Sequence, residues 1–305
     1  MKLGFLTVAL GQLPCEEILD WAANTGFQAL ELAAWPLVNE RDFSSTTVNA
    51  NISAQEAKEL RAKFDDRGVE ISSLAYYDNM LAADPEVRAA NHAHLKKVID
   101  TASNMGVELV GTFVGRDITK SVDENLDEFA KVFPELISYA ESKNVKLMIE
   151  NCPMDGWQEP GIPGNLFYSP SQWREFFRIT PKSFGLNYDP SHLYWMGIDH
   201  IAPLFEFADR IFHTHAKDTE ILSDGLNENG IFGPLSPRFS EARWWQYRLP
   251  GLGEIDWQEF VKALYDIGFD GVLSIEHEDP IWGGTVEKSK KGLILGYRNL
   301  SKLIV

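Results

Sequence analysis

Cysteine is scarce in this chain. Cys15 and Cys152 are the only two in 305 residues, too few for a disulfide scaffold at this length. Long apolar runs are missing as well, and no stretch approaches the roughly 20 residues needed to cross a bilayer. Basic residues are outnumbered, 28 against 45 acidic, giving a formal net charge of −17. No Lys/Arg cluster is dense enough to make the basic face that nucleic-acid binding needs. The opening Met1-Lys-Leu-Gly-Phe-Leu reads as a strand, without a signal-like apolar core and small-residue cleavage site. These absences predict a cytoplasmic protein with neither nucleic-acid nor membrane partners. An acidic field also repels phosphorylated substrates at long range, which favours a neutral, sugar-like molecule. No composition shift or Pro/Ser-rich linker breaks the chain, so residues 1–305 are expected to form one domain.

What is present is an eightfold alternation. Strand-like segments cover 2–10, 29–35, 69–77, 107–114, 145–150, 184–189, 211–215 and 272–276. Helix-like segments cover 14–25, 53–67, 85–105, 121–143, 169–179, 199–209, 256–267 and 285–303. The helix signals are specific. Ser53-Ala-Gln-Glu56 is a capping box, Gly68 and Gly106 stop their helices, and Pro170 stands at a first helical position. Short apolar strands alternating with helices predict an α/β protein with a parallel sheet. Two connections exceed what such a fold requires: 151–168, rich in Pro and Gly, and 219–250. Long loops in compact domains are commonly functional.

Four strand-like runs end in metal-ligand side chains: Glu150, Asp189, His215 and Glu276. An open sheet would spread those ends too far apart for one ion. A (β/α)₈ barrel brings them to one face. Three carboxylates crowded together carry a large electrostatic cost, and one divalent cation is the simplest way to offset it. Three oxygen donors and one nitrogen suit Mn²⁺ first, then Mg²⁺ or Co²⁺, ahead of a structural Zn²⁺ site. Strand parity carries Lys217 inward with His215, and His213 deeper in the barrel. Lys217 is expected either to stabilise an oxyanion or to pair with Asp218 or Asp189. His277 has the opposite parity to Glu276 and should face the helices, while Glu278 returns to the rim. Glu31, Trp35, Tyr76 and Phe113, at or near earlier strand ends, are candidates for the pocket wall. Cys152 is either a small buried residue or a neighbour of the site. The second long loop holds Phe232, Phe239, Trp244, Trp245 and Tyr247. Trp244 and Trp245 are candidates for a lid over the site, a stacking surface for substrate, or a homo-oligomer contact. Gly251-Leu-Gly253 lacks the strand context of a dinucleotide fingerprint and reads as a tight turn.

The motifs Ile149-Glu150-Asn151, Asp189-Pro-Ser-His192, His213-Thr-His215-Ala-Lys217-Asp218 and Ser274-Ile-Glu276-His277-Glu278 resemble the sugar phosphate isomerase/epimerase group of xylose isomerase-like TIM barrels. So does Leu249-Pro-Gly-Leu-Gly-Glu-Ile-Asp-Trp257, and the likeness runs in order over nearly the whole chain. It implies a (β/α)₈ barrel whose four metal ligands fall on Glu150, Asp189, His215 and Glu276, with His192 beside the metal. It also implies a small-molecule carbohydrate substrate. The expected activity is a sugar isomerase or epimerase that abstracts a proton next to a carbonyl, with Glu150 and Glu276 moving it and with Lys217 and His192 assisting. Trp35, Tyr76, Phe113, Trp244, Trp245 and Glu278 are the substrate-contact candidates. The alternative is a lyase or dehydratase acting by β-elimination on a keto-sugar or keto-glycoside. An apurinic endonuclease shares the barrel, but would need a richer zinc ligand set and a basic face.

Overall fold

Ten strands occur among the described residues, which in this computed structural model are 1–38, 45–154, 163–234, 238 and 240–305. They are β1 (Lys2–Leu6), β2 (Ala29–Ala33), β3 (Glu70–Asn79), β4 (Leu109–Phe113), β5 (Lys146–Glu150), β6 (Phe184–Tyr188), β7 (Ile211–Ala216), β8 (Asp218–Ile221), β9 (Trp245–Arg248) and β10 (Val272–Ile275). Eight of them close into a barrel in the order β1-β10-β7-β6-β5-β4-β3-β2, and every neighbouring pair is parallel. Helices follow the barrel strands, so the strands are covered on both faces. This is why β2 and β6 are buried at every residue and read as continuous apolar runs rather than alternating ones.

Local signals set the helix ends. Ser53 with Glu56 and Ser121 with Glu124 form complete capping boxes before Ala54–Arg67 and Val122–Ser142. Each box satisfies two otherwise orphaned backbone donors. Pro85 and Pro170 open their helices, where a missing N–H costs nothing. Gly68 and Gly106 end theirs at φ 66 and 68, a left-handed backbone that other residues adopt only with strain.

Three expected elements differ. The first strand stops at Leu6 and a 3₁₀ turn spans Thr7–Leu10. The Thr7 hydroxyl accepts from the Ala33 backbone N–H, so a side chain stands where the strand ladder would have continued. The helix expected over 199–209 shrinks to Ala202–Glu206 and a 3₁₀ turn, Ala208–Arg210. The Asp199 carboxylate takes the N–H groups of Ile201 and Ala202, which delays the helix start. The second long connection is not a simple loop. β8 and β9 pair antiparallel within it, and a short helix, Ser223–Asn229, leads out of β8. Arg248 ties the hairpin across to Glu220. Phe239 and residues 155–162 of the first long loop lie outside the described residues.

Asp218 fixes the hairpin to the barrel. Its buried carboxylate accepts from the backbone N–H groups of Thr219, Gly251 and Ile255 and from the Trp257 indole. The turn Gly251-Leu-Gly253 is thus held by side-chain hydrogen bonds, in keeping with its reading as a tight turn. Replacing Asp218 with Ala would leave several buried donors unsatisfied, at about 1–3 kcal/mol each if none finds water. Asp218→Ala is expected to lower unfolding stability by at least about 2 kcal/mol. Chemical denaturation checks this, and a loss within a few tenths would show that the hairpin is held by other contacts.

Candidate metal centre

Four strand ends build the centre. Glu150 closes β5, Asp189 follows β6, His215 lies in β7 and Glu276 follows β10. Side chains of two asparagines align the first two. Asn151 accepts from the Asp189 N–H and donates to its carbonyl, and Asn165 donates to the Glu150 carbonyl. Asp189 also caps the short helix Pro190–Trp195, accepting the Ser191 N–H on Oδ1 at 2.8 Å. Its Oδ2 is left to face the centre.

The functional atoms then meet within a few ångströms. His215 Nδ1 lies 3.3 Å from Glu150 Oε1 and 3.0 Å from Glu276 Oε2. His192 Nε2 lies 3.3 Å from Glu150 Oε1 and 3.2 Å from Asp189 Oδ2. Lys217 Nζ reaches Glu276 at 2.6 Å, Glu278 at 3.0 Å and Asp189 at 3.2 Å. Lys217 therefore joins the site, and Asp218 is engaged elsewhere. Donor atoms of Glu150, Asp189, His192 and Glu276 all lie within 4.8 Å of one another. A second buried group, Glu31 with His213 and His215, sits against it.

Burial by itself would raise the Glu150 carboxyl. Hydrogen bonds from His192 and His215 and the Lys217 charge hold it well below the usual carboxylate range. Glu276 is likewise penalised by burial but drawn down by Lys217. Burial would deprotonate Lys217, yet Glu276, Glu278 and Asp189 push its affinity for the proton well up. The same balance acts on His215, where Glu31 and Glu276 outweigh burial and favour the charged imidazole. Glu150 and Glu276 are thus held as buried carboxylates beside buried Asp189, with Lys217 as the one lysine among them. Asp189 Oδ2 is buried and receives no well-directed hydrogen bond. A carboxylate oxygen without a well-directed hydrogen bond, among further carboxylates and imidazoles, suits a divalent cation, so the donor set fits a metal.

A cavity of about 270 Å³ opens on this centre. Trp35, Phe113, Trp245, Glu278 and Cys152 line it together with Glu150, Lys217 and Glu276. Three of the expected pocket residues do not line it: Glu31, which lies against His215 Nε2, Tyr76 and Trp244. Tyr76 turns outward, where its hydroxyl donates to Asn91 and its ring packs on His94. Tyr77 takes the inward place, next to a register shift in β3. Trp244 packs edge-on against Trp195 and lines a neighbouring apolar cavity instead. Trp195 lies parallel to Trp245, with centroids 4.5 Å apart and planes at 3°. His277 faces the last helix, Val286–Leu300, where a Cβ on Gly292 would come within 2.6 Å of its Nε2. His213 is a buried polar core residue bridging Asn187 and Ser72. Asn187 was not anticipated, although it lies two residues before Asp189 and shares its inward parity. Nothing in the sequence pointed to Trp195, which reaches the cavity from the short helix after Asp189.

A family model described as xylose isomerase-like TIM barrel matches residues 19–295. The chain belongs to the xylose isomerase-like TIM barrel family. Among curated relatives of this barrel, protein YfiH of Bacillus subtilis is 26% identical over 92% of the chain and 93% of its own length. An inosose dehydratase of Clostridium tetani is 25% identical over 82% and 83%. Three solved structures share the barrel. A probable 3-DHS dehydratase, AsbF of Bacillus anthracis, aligns with TM-score 0.72 at 17% identity, covering 99% of both chains. The IolI protein with a bound zinc atom aligns at 0.70 and 21%, covering 99% of this chain and 96% of that one. A D-tagatose 3-epimerase-like protein aligns at 0.68 and 20%, covering 99% and 98%.

A divalent ion held by Nδ1 of His215 would have to displace a proton from that imidazole, whose affinity for it Glu31 and Glu276 raise. Binding should therefore release protons near neutral pH and tighten as pH rises. Calorimetric titration with Mn²⁺ in buffers of different ionisation enthalpy measures the release. An affinity independent of pH between about 6 and 8 would mean that His215 is no ligand.

Proposed function

We propose that this chain is a divalent-metal-dependent isomerase or epimerase of a small, neutral keto-sugar, acting in the cytoplasm. Glu150, Asp189, His215 and Glu276 would hold the ion, with Mn²⁺ as the proposed metal. The zinc atom in the IolI structure supports a divalent cation in this fold. The observation that carries the reading is the pair Glu150 and Glu276. They stand at the ends of β5 and β10, with β6 and β7 between them in the barrel, and both line the cavity. Carboxylates reaching one substrate from two sides suit removal of a proton from one face of a carbon and return to another.

Both are ionised, so both are available as bases. The cation, once bound, supplies Lewis acidity for the negative charge that develops on a carbonyl oxygen. Lys217 adds a positive hydrogen-bond donor at the same cavity, and is oriented by Glu276 and Glu278. His192, held through Nδ1 by the Tyr247 hydroxyl at 2.9 Å, keeps Nε2 directed at Glu150 and Asp189. Trp35, Phe113 and Trp245 give the substrate an apolar wall and exclude water. Such walls suit the CH faces of a sugar ring.

Lys217 favours one second reading. An ammonium group beside Glu276 is placed to give a proton to a departing hydroxide, which would turn proton abstraction into β-elimination. Similarity to inosose dehydratases supports that alternative. No helix of the described residues is long and apolar enough to cross a membrane.

Incubating the metal-loaded protein with a panel of ketoses and keto-polyols in D₂O tests both readings. Deuterium on a carbon of an isomeric product supports the isomerase. Loss of water, seen as a mass decrease of the substrate, moves the assignment to the dehydratase. Neither change in any substrate, with metal bound, would contradict the proposal. Glu150→Gln and Glu276→Gln are each expected to cut turnover more than about 10²-fold, with metal content measured alongside.

Trp245→Ala is expected to raise KM several-fold with little change in kcat, because it removes part of the wall. Trp244→Ala, which faces the neighbouring cavity, should leave KM nearly unchanged. Equal effects would remove the distinction between the two rings. A changed solution mass with unaltered kinetics would make the hairpin a subunit contact.

A further inference from the structure

Beneath the metal centre, β2 contributes a carboxylate with no expected role there. Glu31 is completely buried, far from any solvent that could hydrate its charge. Its Oε1 accepts from the Tyr77 hydroxyl at 2.6 Å. Its Oε2 accepts from the Ser274 hydroxyl at 3.1 Å and lies 2.9 Å from His215 Nε2. Both oxygens of Glu31 thus accept from hydroxyls, and the Nε2 facing Oε2 is the donor of that contact. Asn187 Nδ2 also lies 2.9 Å from that nitrogen. That amide nitrogen carries two hydrogens and gives one to the Tyr77 hydroxyl oxygen at 2.6 Å. The remaining ring nitrogen, Nδ1, is the one aimed at Glu150 and Glu276.

We infer that Glu31 is a positioning residue: it holds the His215 imidazole by Nε2–H and so presents Nδ1 as the metal-binding nitrogen. The inference rests on the metal-site reading above and extends it to a residue on the opposite side of the ring. Carboxylate–imidazole–metal relays fix both the tautomer and the ring angle, and they raise the basicity of the ligating nitrogen. Glu31 is suited to this because its own geometry is overdetermined. Tyr77 and Ser274 come from β3 and β10, so three different strands fix the carboxylate plane. Tyr77 also packs edge-on against the His215 ring at 5.9 Å, which limits rotation about the remaining free torsion. Glu31, His213 and His215 also have the composition of a second cation site. The hydrogen bonds already filling both oxygens of Glu31 favour a relay over a second ion.

The test uses Co²⁺ as the probe and a chromophoric chelator as the competitor, on the full chain. Glu31→Gln is expected to raise the Co²⁺ dissociation constant about 10–100-fold and to alter the visible spectrum of the bound ion. Ser72→Ala serves as the control, because it removes the partner of His213 in the same buried layer without touching His215. It should leave the constant within about twofold, while the melting temperature of the metal-free protein reports any general loosening. Equal weakening in both variants, or none in Glu31→Gln, overturns the inference. Absence of Co²⁺ binding by the unaltered protein would instead overturn the metal-site reading itself. Should Glu31→Gln fail to fold, the unaltered protein still decides. In its Zn²⁺-loaded form, nitrogen-15 imidazole spectra are expected to show His215 protonated at Nε2 and metal-bound at Nδ1. Metal on Nε2, or an unprotonated Nε2, would contradict the relay.

Discussion

Buried negative charge at the mouth of the barrel is the constraint on which the rest of the site depends. Glu150, Asp189 and Glu276 are almost wholly removed from water, and each ionised carboxylate there carries a desolvation cost of several kcal/mol. Lys217 offsets part of it by touching two of the three and the rim residue Glu278 as well. The imidazoles of His192 and His215 supply further partners. Asp189 Oδ2, with His192 and Lys217 at 3.2 Å but no well-directed hydrogen bond, is the atom a divalent cation would complete. An apoprotein carrying such a cluster is held together by protonated histidines. Metal binding and proton release are then two sides of one equilibrium.

The barrel makes this crowding possible. Each carboxylate is rigid because its strand is hydrogen-bonded on both sides, and because backbone and side-chain contacts set its direction. Asn151 clamps the end of β5 to the end of β6. Asp218 clamps the hairpin that carries Trp245 and Tyr247 to the turn before Trp257–Asp266. Chemistry and enclosure therefore come from different structural parts. Strand ends bear the charged groups, while the β8–β9 hairpin and the short helix Pro190–Trp195 bear the aromatic cover. Substrate range in such an arrangement can change through the cover without disturbing the ion-binding residues.

Much of this was legible in the sequence because it follows from short-range rules. Capping boxes, helix-ending glycines and apolar runs located the strand–helix units. The ligand-type residues stood at strand ends, where a barrel must gather them. Parity within a strand placed Lys217 inward and His277 outward. Nearness to a strand end was not enough to place Tyr76: β3 changes register against β4 before its end, and Tyr77 rather than Tyr76 reaches the cavity. The hairpin was invisible as such, since its two strands lie more than twenty residues apart and no tight turn joins them, although they pair antiparallel. Glu31 looked like a wall residue. Its position under His215 depends on the packing of β2, β3 and β10 around the barrel interior, which one strand's sequence does not encode.

The most direct measurement of the central claim is a crystal structure of the protein grown with Mn²⁺, with anomalous data collected to locate the ion. A single strong anomalous peak per chain is expected, bonded to Glu150, Asp189, His215 Nδ1 and Glu276, with Lys217 displaced from at least one of its carboxylate partners. A peak between Glu31, His213 and His215 would contradict it, as would an intact Lys217 ion-pair network with no peak at all.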